Sequence, residues 1–263
     1  MGWAAGEADR RGHRLVLANA MAIPAGVVDL GWPEQAVRRD ASVALEQAEQ
    51  RARSVVPELD VTSTALDDPP AAALVQLAED ADAAMVVVGL RGRGGFPGMK
   101  VGSIAYHVAA HSPVPVVVVG PELAADANPE VVVGVDGSTY ADDALAAAFE
   151  EAALGGSRVR AVSAWPPPPL REPALIPYAD AIRKEMETDL AQALRPWRAK
   201  YPDVAVASEV VESQPVLALT RAAAQARLIV VGARGLRGLP RLALGGVAHG
   251  LLHHAPCPVM VVH

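Results

Sequence analysis

The chain contains two copies of one sequence unit, and this repeat constrains its fold more than any other feature. In the later part of each copy the offset is 143 residues, which aligns Gly89, Gly92, Gly102 and Pro115 with Gly232, Gly235, Gly245 and Pro258. Near the start of each copy the offset is 144, which aligns Glu7, Gly12 and Met21 with Glu151, Gly156 and Trp165. A chain of 263 residues, 51% of them apolar, can form two hydrophobic cores. We therefore predict two domains of one fold, at residues 1–121 and 130–263.

The alternation of apolar runs with helical segments indicates the fold class of each copy. The second copy has five such runs, at residues 131–135, 158–165, 204–211, 228–232 and 258–262. Continuous apolar strands separated by helices are typical of a parallel sheet that is covered on both faces. We predict two tandem, Rossmann-like, doubly wound α/β domains with strand order 3-2-1-4-5.

The first copy lacks its first strand, because the counterpart of residues 131–138 would lie upstream of Met1. Strand 1 is central in the predicted order, so its loss leaves two neighbouring strands with unpaired backbone groups. Each buried group of this kind costs about 1–3 kcal/mol. We expect the first domain to be incomplete as given and the natural chain to start earlier.

Charge and residue usage exclude several classes of protein. A net charge of −7 and a pI near 5.5 are unfavourable for non-specific binding to nucleic acid or to anionic membranes. The single cysteine, Cys257, excludes an intrachain disulfide. No signal-peptide pattern or apolar run of spanning length occurs in the sequence. We expect a cytoplasmic protein without nucleic-acid or membrane partners.

Glycine-rich loops follow the fourth strand of both copies. In a doubly wound sheet, ligands bind at the carboxyl ends of strands 1 and 4, which in the second copy end at "GVDGS" and "GARG". Glycines allow backbone N–H groups to approach a phosphate, which a helix N-terminus also favours. Glycines after a strand are more often plain turn residues. The Walker and dinucleotide glycine patterns do not fit these loops.

The spacing Gly89, Gly92, Gly102-Ser103, together with "VGVDGS", "IVVGARG" and "APCPVMVV", resembles the universal stress protein family over both halves of the chain. The resemblance implies a fold like that of the adenine-nucleotide alpha hydrolases. It also implies ATP in the crevice between strands 1 and 4, with Mg²⁺ or Mn²⁺ on the phosphates. The implied binding residues of the second copy are Asp136, Ala164, Trp165, Gly232, Arg234, Gly235, Gly245 and Gly246. Those of the first copy are Gly89, Arg91, Gly92, Gly102 and Ser103.

The second copy departs from the family pattern at two hydroxyl positions, where it has Gly246 and Ala248. The first copy keeps Ser103 but has Ala105. Three functions remain open: an ATP-binding stress regulator without strong catalysis, a nucleotide-free scaffold with decayed pockets, and a weak ATPase. No activated nucleophile is evident, so we predict no strong enzymatic activity and no catalytic residues. Asp136 is also compatible with an ordinary turn.

The remaining predictions concern assembly and histidine. The last strand of each copy is nearly all apolar and lies at a sheet edge, so we expect the two to pair antiparallel and cover each other. A further homodimer is compatible with the sequence. His107 and His111, and His249 and His253, have the spacing that metal ligands on one helix face would need. Exposed helix residues are the simpler interpretation, and we predict no protein-built metal site.

Overall fold

The computed structural model describes residues 1–21, 34–92, 100–120, 128–167, 176–236 and 244–263. It divides into two compact units, Met1–Val87 and Val88–His263. The first copy contributes the elements α1 (Gly2–Arg11), β1 (Leu15–Ala20), α2 (Glu34–Val55), β2 (Val61–Leu66), α3 (Pro70–Asp80), β3 (Val86–Gly89), α4 (Ser103–His111) and β4 (Val116–Val119). The second contributes β5 (Asn128–Gly134), α5 (Thr139–Gly155), β6 (Arg158–Trp165), α6 (Ile176–Lys200), β7 (Val206–Glu212), α7 (Pro215–Ala222), β8 (Ala226–Gly232), α8 (Gly246–His254) and β9 (Val259–Val262).

The second copy forms the predicted doubly wound sheet. Strands β7, β6, β5, β8 and β9 lie side by side in that order, and all four neighbouring pairs are parallel. This is the order 3-2-1-4-5, with β5 at the centre. The β5 side chains of Val131, Val132 and Val133 are fully buried, as are Leu145 and Phe149 of α5. Burial on both faces explains why the central strand β5 has consecutive apolar residues.

The four strands of the first copy are divided between two sheets. Strands β1 and β2 pair with each other, in parallel, in a two-stranded sheet. Strands β3 and β4 belong to the seven-stranded sheet of order β3-β4-β9-β8-β5-β6-β7. The division falls between strands 2 and 4 of the predicted order 3-2-1-4-5. The domain boundary between residues 121 and 130 remains a prediction.

The final strands of the two copies pair as expected. Val116, Val117 and Val118 of β4 lie antiparallel to Val261, Met260 and Val259 of β9. All six side chains are buried. The prediction that these apolar edges cover each other is confirmed, so a single sheet joins β4 of the first copy to the whole second copy.

The first helix of each copy ends in the same way and carries a buried carboxylate at the same position. Helices α1 and α5 both end at a glycine in the left-handed conformation, Gly12 with φ 63° and Gly156 with φ 57°. Glu151 of α5 is fully buried and accepts a hydrogen bond from Arg227 Nη2 at 3.0 Å. Glu7 of α1 is 2% exposed and pairs with Arg10 and Arg11 of its own helix. Each buried charge therefore has an arginine partner.

Within the described ranges, no helix is both long enough and apolar enough to cross a membrane.

Candidate functional site at the ends of strands β5 and β8

The turn after β5 is built around the carboxylate of Asp136. Its Oδ1 accepts hydrogen bonds from the backbone N–H of Ser138 at 3.0 Å and from the Ser138 hydroxyl at 2.6 Å. Gly137 has φ 79°, a conformation that favours glycine. The hydroxyl oxygen of Ser138 in turn accepts from the N–H of Ala141 at 3.2 Å and so caps α5. Asp136 thus holds the turn and indirectly the start of the following helix.

The same carboxylate also holds the glycine loop after β8. Its Oδ2 accepts a hydrogen bond from the backbone N–H of Leu236 at 3.1 Å. A Cβ atom at Gly235 would collide with that oxygen, so the close approach of the loop requires glycine. The structure therefore brings Asp136 and Gly235 together, as the sequence suggested, at the carboxyl ends of two adjacent strands.

Gly232, at the end of β8, contacts the protein itself. A Cβ atom there would lie 2.6 Å from Tyr140 Cβ and 2.8 Å from the Tyr140 carbonyl oxygen. Both distances are far too short, so glycine is needed for β8 to pack against the first turn of α5. Packing thus accounts for Gly232 without a ligand, and phosphate binding there remains a prediction.

The far end of the loop returns to β8 and begins α8. Gly245 donates its N–H to the carbonyl oxygen of Ala233 at 2.7 Å and is the N-cap of α8. The first-turn N–H groups of a helix have no partner within it, so an anion is expected to bind at the N-terminus of α8. A Cβ atom at Gly246 would have no described atom within 4 Å. Arg234 is exposed on the loop, and residues 237–243 lie outside the described ranges.

The loop of the first copy repeats this closure. Gly102 donates its N–H to the carbonyl oxygen of Leu90 at 2.8 Å, as Gly245 does to Ala233. Ser103 then begins α4 with its side chain exposed. Arg91 is exposed, and its Nε donates to the carbonyl oxygen of Lys100 at 3.4 Å. Gly89 ends β3, Gly92 is exposed, and residues 93–99 lie outside the described ranges.

Strand β6, which lies next to β5, ends with the two residues that were expected beside an adenine ring. Ala164 and Trp165 pair with Val211 and Glu212 of β7. The Trp165 carbonyl oxygen accepts a hydrogen bond from the N–H of Ser213 at 2.9 Å. The backbone of Trp165 is thus partly occupied by β7, and its contact with a base remains a prediction.

A reactive cysteine and a metal site were also candidates from the sequence. Burial raises the pKa of Cys257 to about 12, with a hydrogen bond to the Ile229 backbone acting in the opposite direction. This favours the inert thiol over a reactive thiolate. The described residues contain no group of three or more His, Cys, Asp or Glu side chains arranged to hold a metal ion.

Two contacts that organise the site were not identified from the sequence. The Leu236 N–H bond to Asp136 involves a backbone group, which leaves no residue signature. The Tyr140 contact with Gly232 links residues far apart in sequence. In contrast, "GS" before a helical pattern is a signal for the Ser138 cap.

Comparison with known proteins identifies the family. The model of the universal stress protein family matches residues 1–120 and again 128–263. Universal stress protein Rv2005c of Mycobacterium tuberculosis is 34% identical, over 88% of this chain and 78% of its own length. Universal stress protein Rv2623 of the same organism is 33% identical, over 98% and 90% respectively. A universal stress protein structure from Archaeoglobus fulgidus superposes with a TM-score of 0.64 at 16% identity, covering 99% of this chain and 92% of the other. The repeat, the fold and these matches show that the chain belongs to the universal stress protein family, as a member with two tandem domains.

Proposed function

We propose that this protein is a regulator that binds adenine nucleotide, preferably ATP, in the crevice between β5 and β8, without strong catalysis. The observation that carries the proposal is the hydrogen bond from Leu236 N–H to Asp136, which holds the turn after strand 1 against the loop after strand 4. This is the edge of a doubly wound sheet at which ligands bind. A role in stress physiology follows from family membership.

The residues present have complementary roles in this proposal. In this proposal Gly232 and Gly235 allow backbone N–H groups to approach the phosphates, and the N-terminus of α8, which follows Gly245, favours their negative charge. Arg234 is exposed on the same loop, and in this proposal its guanidinium pairs with a phosphate oxygen. Mg²⁺ or Mn²⁺ bound with the nucleotide would neutralise phosphate charge. Asp136 supplies the one described carboxylate that joins both loops.

A nucleotide-free scaffold is the second candidate, and one observation favours it. The Asp136 carboxylate already accepts three hydrogen bonds from the protein's own N–H and O–H groups. Both loops are therefore held without a ligand. Gly246 and Ala248 also lack the hydroxyls that the family pattern places at these positions.

Nucleotide retained by the purified chain tests the proposal directly. The chain is denatured, the released nucleotide is counted per chain by chromatography, and the measurement is repeated with Gly235→Ala. The added methyl group would displace the Asp136 carboxylate and the loop, so we expect retained ATP to be lost. Gly6→Ala in α1 is the matched control, because its methyl group meets its nearest neighbour at an ordinary 3.6 Å.

Three outcomes are informative. ATP that disappears in Gly235→Ala and persists in Gly6→Ala supports the second crevice as the binding site. Absence of nucleotide from the wild-type chain, and of binding when ATP is added, would favour the scaffold. Turnover of added ATP well above that of Gly235→Ala would instead identify an ATPase.

A further inference from the structure

Two exposed histidines lie against each other on α4. His107 and His111 are four residues apart and so share one face of the helix. Their ring centroids are 4.2 Å apart, with an angle of 24° between the ring planes. Both residues are exposed. The proposed nucleotide site does not involve them.

A contact with a backbone carbonyl oxygen fixes the tautomer of the His111 ring. Nδ1 of His111 lies 2.9 Å from the carbonyl oxygen of His107. A carbonyl oxygen only accepts, so Nδ1 of the neutral imidazole carries the hydrogen, and Nε2 carries the free lone pair. Metal-binding histidines commonly have this arrangement, in which the other ring N–H is donated to a backbone carbonyl. His111 is therefore set in the tautomer that can bind a metal through Nε2.

The two rings must move before they can share an ion. Metal–nitrogen bonds of about 2.0–2.1 Å at a tetrahedral angle place two nitrogens roughly 3.3 Å apart, and the centroids of the two rings roughly 5 Å apart. In the stacked pair the centroids are 4.2 Å apart, so the rings must separate and turn toward a common point. The His111 ring is held by its carbonyl contact, whereas the exposed His107 ring has room to turn.

We propose that His107 and His111 form a two-imidazole chelate for a late divalent transition-metal ion of the Zn²⁺ or Cu²⁺ class. Imidazole nitrogen is a preferred ligand for these ions, and Mg²⁺ and Ca²⁺ prefer oxygen. With no larger group of ligands among the described residues, water completes the coordination. The ion is therefore bound at the surface and exchanges readily.

The histidine pair on α8 has the same spacing but a less suitable setting. The ring centroids of His249 and His253 are 4.8 Å apart, and the Tyr106 ring contacts His249 edge-on at 5.5 Å. Desolvation, then the charges of His249, His254 and Lys100, lower the pKa of His253. The nearby Lys100 ammonium repels a cation. No carbonyl contact that fixes a tautomer is seen for this pair within the described segments. It therefore serves as the matched control.

Titration with Zn²⁺ in a non-coordinating buffer, followed by calorimetry, tests the chelate on the full chain. We expect His107→Ala and His111→Ala each to weaken one Zn²⁺ site at least about tenfold, because a chelate loses half its protein ligands. The His249→Ala/His253→Ala double variant should leave that site unchanged. All four substituted residues are exposed or half-buried on helices, and circular dichroism checks that the fold is retained.

Nitrogen NMR of ¹⁵N-labelled histidines separates chelation from loose association. Zn²⁺ should shift Nε2 of His111 and leave Nδ1 in its hydrogen-bonded position. Unchanged Zn²⁺ affinity in both α4 variants would overturn the proposal. Loss of the site in the α8 double variant alone, or coordination of Zn²⁺ by Nδ1 of His111 in place of Nε2, would also overturn it.

Discussion

At the scale of single residues, the loop glycines of the second copy differ in purpose. Gly232 and Gly235 are required by contacts within the protein, with Tyr140 and Asp136 respectively. Gly246 has open space around it and no such requirement among the described residues. A spacing pattern treats these positions alike, whereas the structure shows that only Gly246 can be changed without displacing a neighbour.

Gly246→Ser should strengthen ATP binding by the second crevice. The serine restores a hydroxyl donor at the start of α8, worth about 1.5–3 kcal/mol to a charged acceptor, or about ten- to a hundredfold in affinity. Equilibrium binding of a fluorescent ATP analogue measures the change. Gly246→Ala adds the Cβ atom without the hydroxyl and is the matched control. Equal affinities for the two variants would show that no phosphate oxygen lies within reach of position 246.

At the scale of helices and strands, the sequence predicts the second copy well and the first copy less well. The five apolar runs of the second copy correspond to β5, β6, β7, β8 and β9, and the runs are most continuous in β8 and β9, which are largely buried. The apolar character of the two edge strands also predicted the antiparallel β4–β9 pair. In the first copy, the same reasoning led to the expectation of an incomplete sheet, which remains a prediction. It could not show that β3 and β4 would belong to one sheet and β1 and β2 to another, since that depends on long-range pairing.

The candidate site, too, was predicted only in part from the sequence. The meeting of Asp136 with the glycine loop follows from strand order, because neighbouring parallel strands end at the same edge of the sheet. The donor that meets Asp136 is a backbone N–H at Leu236, a residue whose side chain is 69% exposed and gives no hint of this role. Side-chain patterns do not report which main-chain groups will be free to bond.

The buried Glu151–Arg227 pair should be costly to break. Arg227→Met leaves a fully buried carboxylate without this arginine partner, and we expect the free energy of unfolding to fall by about 3–5 kcal/mol. Urea denaturation followed by circular dichroism measures it. Arg53→Met is the matched control, because its ion pair with Glu49, one turn earlier on α2, joins partly exposed side chains and should be worth less than about 1 kcal/mol. Similar losses in both variants would contradict this interpretation.

At the scale of the whole molecule, acid should weaken the region where β9 meets α4. His263 Nε2 lies 3.1 Å from the Ala109 carbonyl oxygen, to which it donates. Desolvation lowers the pKa of His263 from 6.5, the Ala109 carbonyl acts in the opposite direction, and the charges of Arg234 and His111 lower the pKa further. The folded state therefore resists protonation that the unfolded state accepts. Stability present above about pH 6.5 is lost as the pH falls toward the folded-state pKa.

His263→Gln should reduce this acid sensitivity, because the glutamine amide can still donate to the Ala109 carbonyl but does not titrate. Thermal unfolding between pH 7.5 and about pH 5 measures it, as the difference in Tm between wild type and variant at each pH. His13→Gln, at an exposed position, is the control. Parallel pH curves for wild type and His263→Gln would rule out this role for His263.

The β4–β9 junction also determines how freely the two copies can diverge. Leu90 of the first loop donates to the Val119 carbonyl at the end of β4, and Ala233 of the second donates to the Val262 carbonyl at the end of β9. Because β4 and β9 are antiparallel, the two loops lie at opposite ends of the strands of one sheet. In a homodimer of single domains, any substitution would appear in both loops at once. Joining the copies in one polypeptide removes that symmetry, so one loop can keep Ser103 while the other has Gly246, and each half can specialise while the shared junction stays intact.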